Sequence, residues 1–243
     1  MKRRPDRPLL VCFRVLGGGL CILGTASVWA ASSAVTNEAG MVSPPKKDGD
    51  GVRFGLVRVD PRSRTVSFPA KVNMTNGVVE YAVVTEYGKA HESLLLTDAK
   101  PMDVQSGLLL LGAKPAGTNG VLNSAVSLPV TSLHRIGVTW TVAGRERTAP
   151  LEDWIQLNTG PEGTVARKFT RGSWLFNGSF ISPEGFAAHF EGSIISLIRD
   201  PAAIYNNPRP DQDDDEIHSP AARAMPKVGT PVTVTVSVPR DGV

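Results

Sequence analysis

Short apolar runs separated by glycine, proline and asparagine are the feature that most constrains how this chain can fold. Thr230–Val238 alternates valine with threonine, and Thr65–Val72 places its apolar side chains on one face. Alternation with a period of two predicts half-buried strands. Val78–Thr85 is almost continuously apolar, so this strand is expected to be covered on both faces. Further strand candidates are Val52–Val59, Ile136–Val142, Ser173–Ser179, Phe186–Phe190 and Ser193–Ile198.

Turn residues indicate how the first strands connect. Asn76-Gly77 is a strong tight-turn signal, and it predicts that Thr65–Val72 and Val78–Thr85 follow one another in a meander. Pro69 lies inside the first of these strands and has no N–H to donate to a neighbouring strand. We therefore expect that strand to lie at a sheet edge or to contain a bulge at the proline.

One segment has helical features instead. Pro101 suits the first position of a helix, and Gly112 suits the position just after its end. Pro101–Ala113 is therefore expected to be the main buried helix, and Leu151–Leu157 a short helix or turn. The predicted fold class is α+β, predominantly antiparallel β-sheet with one main buried helix (about 101–113) and short additional helices. We expect residues 52–240 to form a single domain of this class.

The N-terminal thirty residues have the pattern of an export signal. Met1–Pro8 is basic, Val15–Val28 is mostly apolar, and Ala30 ends a small-residue cleavage site. Cleavage there predicts an exported bacterial protein, in the periplasm or at the cell surface, with no stable membrane span after processing. An uncleaved N-terminal anchor is the alternative. Residues 31–51 are rich in Ser, Pro, Lys, Asp and Gly and are expected to form a flexible linker.

The charge and the cysteines of the chain both depend on this signal. Residues 1–30 carry five basic side chains and one acidic one, so the remaining residues have a net charge of −1. That balance does not favour a nucleic-acid-binding face. Cys12 and Cys21 also lie in the signal. The mature chain would thus have no disulfide, no thiol catalysis, no cysteine-ligated zinc and no iron–sulfur cluster.

The most chemically varied stretch follows the strand candidate Val78–Thr85. Lys89, His91, Glu92 and Ser93 lie next to Gly88, between two apolar runs. One interpretation is a hydrogen bond between His91 and a carboxylate that holds a turn to the sheet. The alternatives are contact with a ligand, zinc binding by His91 and Glu92, and catalysis. Zinc would need a further histidine or carboxylate. The spacing of the other histidines does not indicate one.

A second candidate is the acidic run in the polar segment Asp200–Pro226. Asp211, Asp213 and Asp215 match the spacing at the start of a calcium loop, but the later glycine and glutamate of such a loop are missing. The alternatives are a calcium site, a basic partner, or a solvated loop. Such a long segment between structural elements is expected to be functional or mobile. His218 lies close to these carboxylates, which would favour its charged form.

The order of these features resembles the YdjY-domain family, a set of exported bacterial proteins whose chemistry is not established. The residues that carry the resemblance extend over most of 52–240. They include Val57-Arg58-Val59-Asp60, Phe68-Pro69, Val72-Asn73, Val79-Glu80-Tyr81, Gly88 to Ser93, Leu109 to Ala113, Trp174-x-Phe176, Gly178-Ser179 and Glu191 to Leu197. The resemblance implies export, and it transfers no catalytic residue.

No catalytic constellation is recognisable in the sequence. It contains no Gly-x-Ser-x-Gly elbow, and no phosphate-binding glycine loop outside the signal. The predicted function is therefore an exported binding or accessory protein whose partner is an envelope protein or a small ligand. His91–Glu92, joined by the 200–216 loop, is the expected contact region. The alternatives are a metal-dependent hydrolase that uses His91, Glu92 and that loop, with calcium or zinc as the cation, and a structural envelope protein.

Overall fold

The computed structural model describes residues 42–117, 130–160 and 165–240. The signal segment, its cleavage site at Ala30 and most of the predicted linker lie outside these residues. The strands are β1 Pro45–Asp48, β2 Gly51–Phe54, β3 Val57–Asp60, β4 Thr65–Val72, β5 Tyr81–Thr85, β6 Ser93–Thr97, β7 Leu133–Val142, β8 Arg145–Pro150, β9 Ile155–Thr159, β10 Val165–Lys168, β11 Trp174–Phe176, β12 Ile181–Ser182, β13 Gly185–Phe186, β14 Ser193–Ser196, β15 Tyr205–Asn206, β16 His218–Pro220 and β17 Pro231–Ser237.

Two α-helices occur among the described residues: α1 Pro101–Leu110 and α2 Ala187–Glu191. Short 3-10 helices lie at Ala90–Glu92, Val130–Ser132, Leu151–Trp154, Pro210–Asp213 and Ala222–Ala224. The predicted β-rich class with one main helix is therefore confirmed. No helix in the described part of the chain is both long and apolar enough to span a membrane.

The main sheet closes on itself as a barrel of eight strands. The order around the ring is β4, β17, β7, β11, β15, β14, β5 and β6, and β6 pairs back to β4. All these pairs are antiparallel except β5 with β6 and β14 with β15. The alternation of β17 explains its place in the ring, because Val232, Val234 and Val236 are buried in the core while the intervening side chains are not. The sequence patterns predict a sheet but not its closure into a barrel, because closure depends on pairing between segments that are distant in the chain.

The predicted meander of β4 and β5 is wrong because β6 lies between them. β6 pairs antiparallel with the end of β4 and parallel with β5, with Ser93 opposite Tyr81. Pro69 fits this arrangement. On one side of β4, β3 pairs only as far as Ser67 and β6 pairs from Lys71, so the proline lies between the two neighbours. Its carbonyl accepts a hydrogen bond from Thr97 Oγ1 at 2.5 Å.

Helix α1 packs against β2, β3 and β4. Val104, Gly107 and Leu108 are buried on its inner side, and a Cβ at Gly107 would lie 2.9 Å from Val59 Cγ2. The helix ends at Leu110, earlier than predicted. The backbone leaves the helical conformation at Gly112, where φ is +77°, and the N–H of Ala113 donates back to the carbonyl of Leu108 at 3.1 Å.

Three predictions about local structure need correction. Val52–Val59 is two strands, β2 and β3, which turn at Gly55, where φ is +53°. Phe186–Phe190 is mostly helix α2, which ends at Gly192 in the left-handed conformation. The predicted linker contains an ordered strand at its end, because β1 pairs with β2.

A small sheet of β10, β9 and β16 lies outside the ring in the hydrogen-bonding order. β9 pairs with both neighbours antiparallel. The 3-10 helix Leu151–Trp154 leads into this sheet, and Trp154 packs edge-to-face against Trp140 of β7 with the ring centroids 5.1 Å apart. The contact joins the small sheet to the barrel core, and it positions the groove described below.

Candidate functional site

The Lys89–Ser93 stretch connects two parallel neighbouring strands, which fixes where it lies. The chain must return to the start of β5 before β6 can run beside it in the same direction. Residues 86–92 make this return over the outer face of β5 and β6. There, Tyr81, Val84 and Leu96 form a small apolar cluster with Ala90 packed against it. This explains why β5 is buried on both faces, as predicted.

Lys89 is bound to a buried tyrosine. Its Nζ donates to Tyr81 Oη at 2.5 Å and lies 4.7 Å from the centroid of that ring. Tyr81 in turn donates to Asp200 Oδ2 at 3.2 Å. Burial, followed by the nearby Asp200 carboxylate, raises the pKa of Tyr81, so the phenol stays protonated. Lys89 therefore helps to hold residues 86–92, called the return segment below, on the barrel.

Ser93 also has a structural role. It is fully buried, and its Oγ donates to the carbonyl of Lys89 at 2.5 Å. Asn73 reinforces the same turn, because its Nδ2 donates to the carbonyls of Ala90 and Ser93 at 2.7 Å each. Asn73 was not among the residues predicted to hold this turn. The role of Asn73 can be recognised only when the pairing of β6 with β4 is known.

His91 and Glu92 lie at the surface. The His91 side chain is 80% exposed, and its Nε2 lies 3.6 Å from Glu92 Oε2. Partial burial raises the pKa of Glu80, and the neighbouring Glu92 carboxylate raises it further. Asp215 adds a smaller effect of the same sign. Lys89 and His91 oppose these effects, so Glu80 interacts with charges of both signs from the turn and with one carboxylate of the acidic loop.

The three aspartates of the acidic loop do not converge. Asp211 Oδ2 binds His218 Nε2 at 2.6 Å, while Asp213 pairs with Arg199 through two hydrogen bonds of 2.7 and 2.9 Å. Asp215 is exposed. The described residues contain no group of three or more His, Cys, Asp and Glu side chains placed to hold a metal ion. Calcium or zinc binding by His91, Glu92, Asp211, Asp213 and Asp215 stays a prediction.

A buried polar network lies behind the small sheet. Arg209 Nη2 donates to Glu152 Oε1 at 3.1 Å, and both side chains are almost completely buried. Arg209 also donates to the carbonyl of Thr170 and to Asn207 Oδ1. Burial lowers the pKa of Arg209, while the charge of Glu152 opposes this effect. Since each charge is paired and hydrogen-bonded, the network forms a rigid support.

The network continues from Asn207 to a buried histidine. Asn207 Nδ2 donates to Asp211 Oδ2 at 3.1 Å, and the same oxygen binds His218 Nε2. Burial alone would raise the pKa of Asp211, but the hydrogen bond from His218 and other favourable contacts lower it overall. The Asp211 carboxylate is therefore held in its charged form inside this network.

An open groove of about 1080 Å³ lies above this support. Phe169 and Ile155 are buried side chains that contribute to its apolar lining. Arg209 holds Phe169 from the other side, since its guanidinium carbon lies 4.5 Å from the Phe169 ring centroid and 5.1 Å from that of Trp174. The remaining apolar lining comes from Ala166, Pro220, Ala221, Ala222 and Ala224.

The groove also has basic side chains. Arg167, Lys168 and Arg223 line it and are exposed. Within the described part of the chain, no carboxylate lies within ion-pair distance of any of the three. Arg171 lines the groove as well, but Asp153 binds it through two hydrogen bonds of 2.7 and 2.6 Å. As far as the described residues show, the groove therefore offers unpaired positive charge beside an apolar lining.

Sequence reasoning missed this groove entirely. Glu152 and Arg209 are 57 positions apart, and no local pattern connects them. Arg167-Lys168 is indistinguishable in sequence from a solvated edge strand, where basic residues are common. The one available signal was the length of the Asp200–Pro226 segment, which predicted a functional or mobile region. That segment supplies Arg209 and the Pro220–Ala224 side of the groove.

Comparison with known families and proteins gives one match. A family model described as the YdjY domain matches residues 57–237, well over half of the chain. No curated protein and no solved structure matched the chain. The matched range includes all eight strands of the barrel, the small sheet, and the groove.

Proposed function

This chain belongs to the YdjY-domain family, and we propose that it is an exported, non-catalytic binding protein that holds an anionic, partly apolar ligand. The groove between β10 and the Pro220–Ala224 segment would hold that ligand. The observation that carries the proposal is the positive charge of Arg167, Lys168 and Arg223, which have no ion-pair partner among the described residues, in a groove with a largely apolar lining. Export is proposed from the N-terminal signal pattern.

The size and lining of the groove support a small ligand. A volume of about 1080 Å³ is slightly above the usual range of ligand pockets, which are mostly apolar with a few charged groups that fix orientation. Burial of an apolar body against the exposed alanines of the lining, Ala166, Ala222 and Ala224, supplies the hydrophobic contribution. A carboxylate, sulfate or phosphate group on the ligand would interact with the free cations. Because Phe169 is already held by Arg209, ordering on binding would be limited to the exposed basic side chains.

The carboxylates that line the groove support binding over catalysis. Glu152 accepts hydrogen bonds from Arg209 and from the backbone N–H of Gly172, and Asp153 is bound to Arg171. General acid–base chemistry needs a group that can exchange a proton with the substrate. Both carboxylates of the groove instead form ion pairs with arginines, Glu152 with Arg209 and Asp153 with Arg171. The hydrolase alternative has less support, since Asp211 and Asp213 have partners of their own.

A pair of fluorescent probes tests the proposal on the purified protein. Phenylnaphthylamine and its sulfonated form, anilinonaphthalene sulfonate, share one apolar body and differ in a single negative charge. We expect the sulfonate to bind more tightly, and its affinity to fall as salt is raised. Equal affinity for the two probes, or an affinity that salt does not change, would show that the cations do not select the ligand.

A further inference from the structure

We propose that a second cavity, independent of the groove, binds a neutral saccharide. It has a volume of about 790 Å³ and lies where the end of β5, the start of α1 and helix α2 meet. Tyr87, His189 and Phe190 line one part of it, and Glu86, Asp98 and Lys100 line another. It shares no lining residue with the groove.

Two exposed aromatic rings face this cavity. Tyr87 is 60% exposed and Phe190 is 48% exposed, which is unusual for two large side chains that line the same concave surface. Both rings are held in place. Tyr87 Oη donates to the carbonyl of His189 at 2.8 Å, and the His189 ring packs edge-to-face with Tyr87 and Phe190 at centroid distances of 6.3 and 5.9 Å. The C–H faces of a sugar ring are apolar and can stack on such a platform.

A buried imidazole adds an unused hydrogen-bonding group. The Nδ1 atom of His189 is buried and has no hydrogen-bond partner among the described residues, although the residue lines the cavity. An unpaired buried polar atom is costly, so a ligand that pairs with it gains affinity. Burial, followed by the nearby Lys100, lowers the pKa of His189, so the ring is neutral near pH 7. A neutral imidazole and a sugar hydroxyl can pair in either direction of donation.

The charges around the cavity argue for a ligand without net charge. Glu86 forms an ion pair with Lys71, and Asp98 and Lys100 carry opposite charges. An anion would meet two carboxylates, and a cation would meet Lys100. Hydroxyl groups can donate to the carboxylates and accept from the lysine, so a polyhydroxyl ligand uses all of these side chains at once.

Saturation-transfer difference NMR tests the site with maltotriose and triacetylchitotriose as separate probes. We expect at least one to bind the purified protein, and its affinity to fall by about tenfold or more in Tyr87→Ala and in Phe190→Ala. Phe180→Ala is the matched control, because Phe180 is 40% exposed and does not line the cavity. Circular dichroism checks that each variant is folded.

The outcomes are distinct. Binding that is lost in both cavity variants and kept in Phe180→Ala supports the site, and it should not depend on salt. No binding of either probe at millimolar concentration, or binding that survives Tyr87→Ala and Phe190→Ala, overturns the proposal. Neither result bears on the sulfonate probe of the groove, so the two proposals stand or fall separately.

Discussion

Gly192 lies in direct backbone contact with Gly88: a Cβ added at Gly192 would be only 2.9 Å from Gly88 Cα. The same Cβ would lie 2.2 Å from Thr85 Oγ1. Gly192 ends helix α2 with a φ of +71°, and its carbonyl accepts a hydrogen bond from the N–H of Thr85 at 2.8 Å. This contact joins the segment that begins at Gly88 to the segment that begins at Gly192. It thereby positions helix α2 against residues 86–92, which connect β5 and β6.

Substitution Gly192→Ala is therefore expected to destabilise the protein by about 2–4 kcal/mol. The left-handed backbone alone costs an alanine about 1–2 kcal/mol, and the collisions with Thr85 and Gly88 add to it. Urea unfolding measures the change. Gly229→Ala is the control, because Gly229 has a φ of +82° but no atom within 4 Å of an added Cβ. Equal losses in the two variants would mean that the Gly88 contact contributes nothing.

The buried pair of Arg209 and Glu152 should matter for stability. Glu152→Gln keeps the shape of the side chain but leaves the buried guanidinium without a counter-charge, which is expected to cost about 3 kcal/mol or more. Asp153→Asn removes the partner of the exposed Arg171, and it is expected to change the free energy of unfolding far less. Urea unfolding of both variants at pH 7 compares the pairs. A small effect of Glu152→Gln would contradict the view of the network as a rigid support.

The return segment gives a prediction about the residues first considered for binding. Tyr81→Phe removes the acceptor of Lys89 and the donor to Asp200, with an expected cost of about 1–3 kcal/mol. His91→Ala should leave the unfolding free energy almost unchanged, because that side chain is mostly exposed. Urea unfolding of the two variants measures both changes in the free energy of unfolding. If His91→Ala were the more destabilising, the turn would depend on the His91–Glu92 pair after all.

Local sequence patterns predicted where several strands lie, but they did not predict which strands pair with one another. Thr65–Val72 was predicted with the bounds that β4 has, because alternating burial leaves a signal in the strand itself. The position of β6 between β4 and β5 has no such signal. Asn76-Gly77 favours a hairpin locally, and the pairing of Ser93 with Tyr81 overrides it. Barrel closure was missed for the same reason.

The candidate site was less predictable than the fold. Lys89 and Ser93, which belong to the most chemically varied stretch of the sequence, form hydrogen bonds that stabilise the return segment. The groove instead depends on Phe169, which looks in sequence like an ordinary core residue, and on Arg209, whose buried partner Glu152 is distant in the chain. Burial and pairing over such separations can be read only from the folded chain.

His134 should make stability depend on pH. The ring is fully buried, with Nδ1 2.6 Å from Tyr205 Oη and Nε2 3.0 Å from the carbonyl of Thr131. Burial lowers its pKa to about 4, below the ordinary value of 6.5. The unfolded chain thus binds the proton first as pH falls, so this contribution to stability is present above pH 6.5 and is lost as pH falls towards about 4.

Comparison with His134→Gln isolates this effect. Between about pH 7 and pH 5, the wild-type protein should lose about 2 kcal/mol more than the variant, although the variant is less stable at neutral pH. Urea unfolding at both pH values gives the difference. Parallel losses in the two proteins would show that His134 is not the group responsible.

The basic side of the groove gives the last prediction. Reversal of both charges in Arg167→Glu/Lys168→Glu should weaken binding of anilinonaphthalene sulfonate by about tenfold or more, and should reduce the salt dependence of what remains. Lys46→Glu/Lys47→Glu is the matched control. It reverses two neighbouring exposed cations on β1, another strand at the edge of a sheet, and neither residue lines the groove. Because both variants change the net charge equally, a general electrostatic effect would weaken the probe in both. If only the Arg167→Glu/Lys168→Glu variant loses affinity for the probe, the anionic group of the ligand lies beside Arg167 and Lys168.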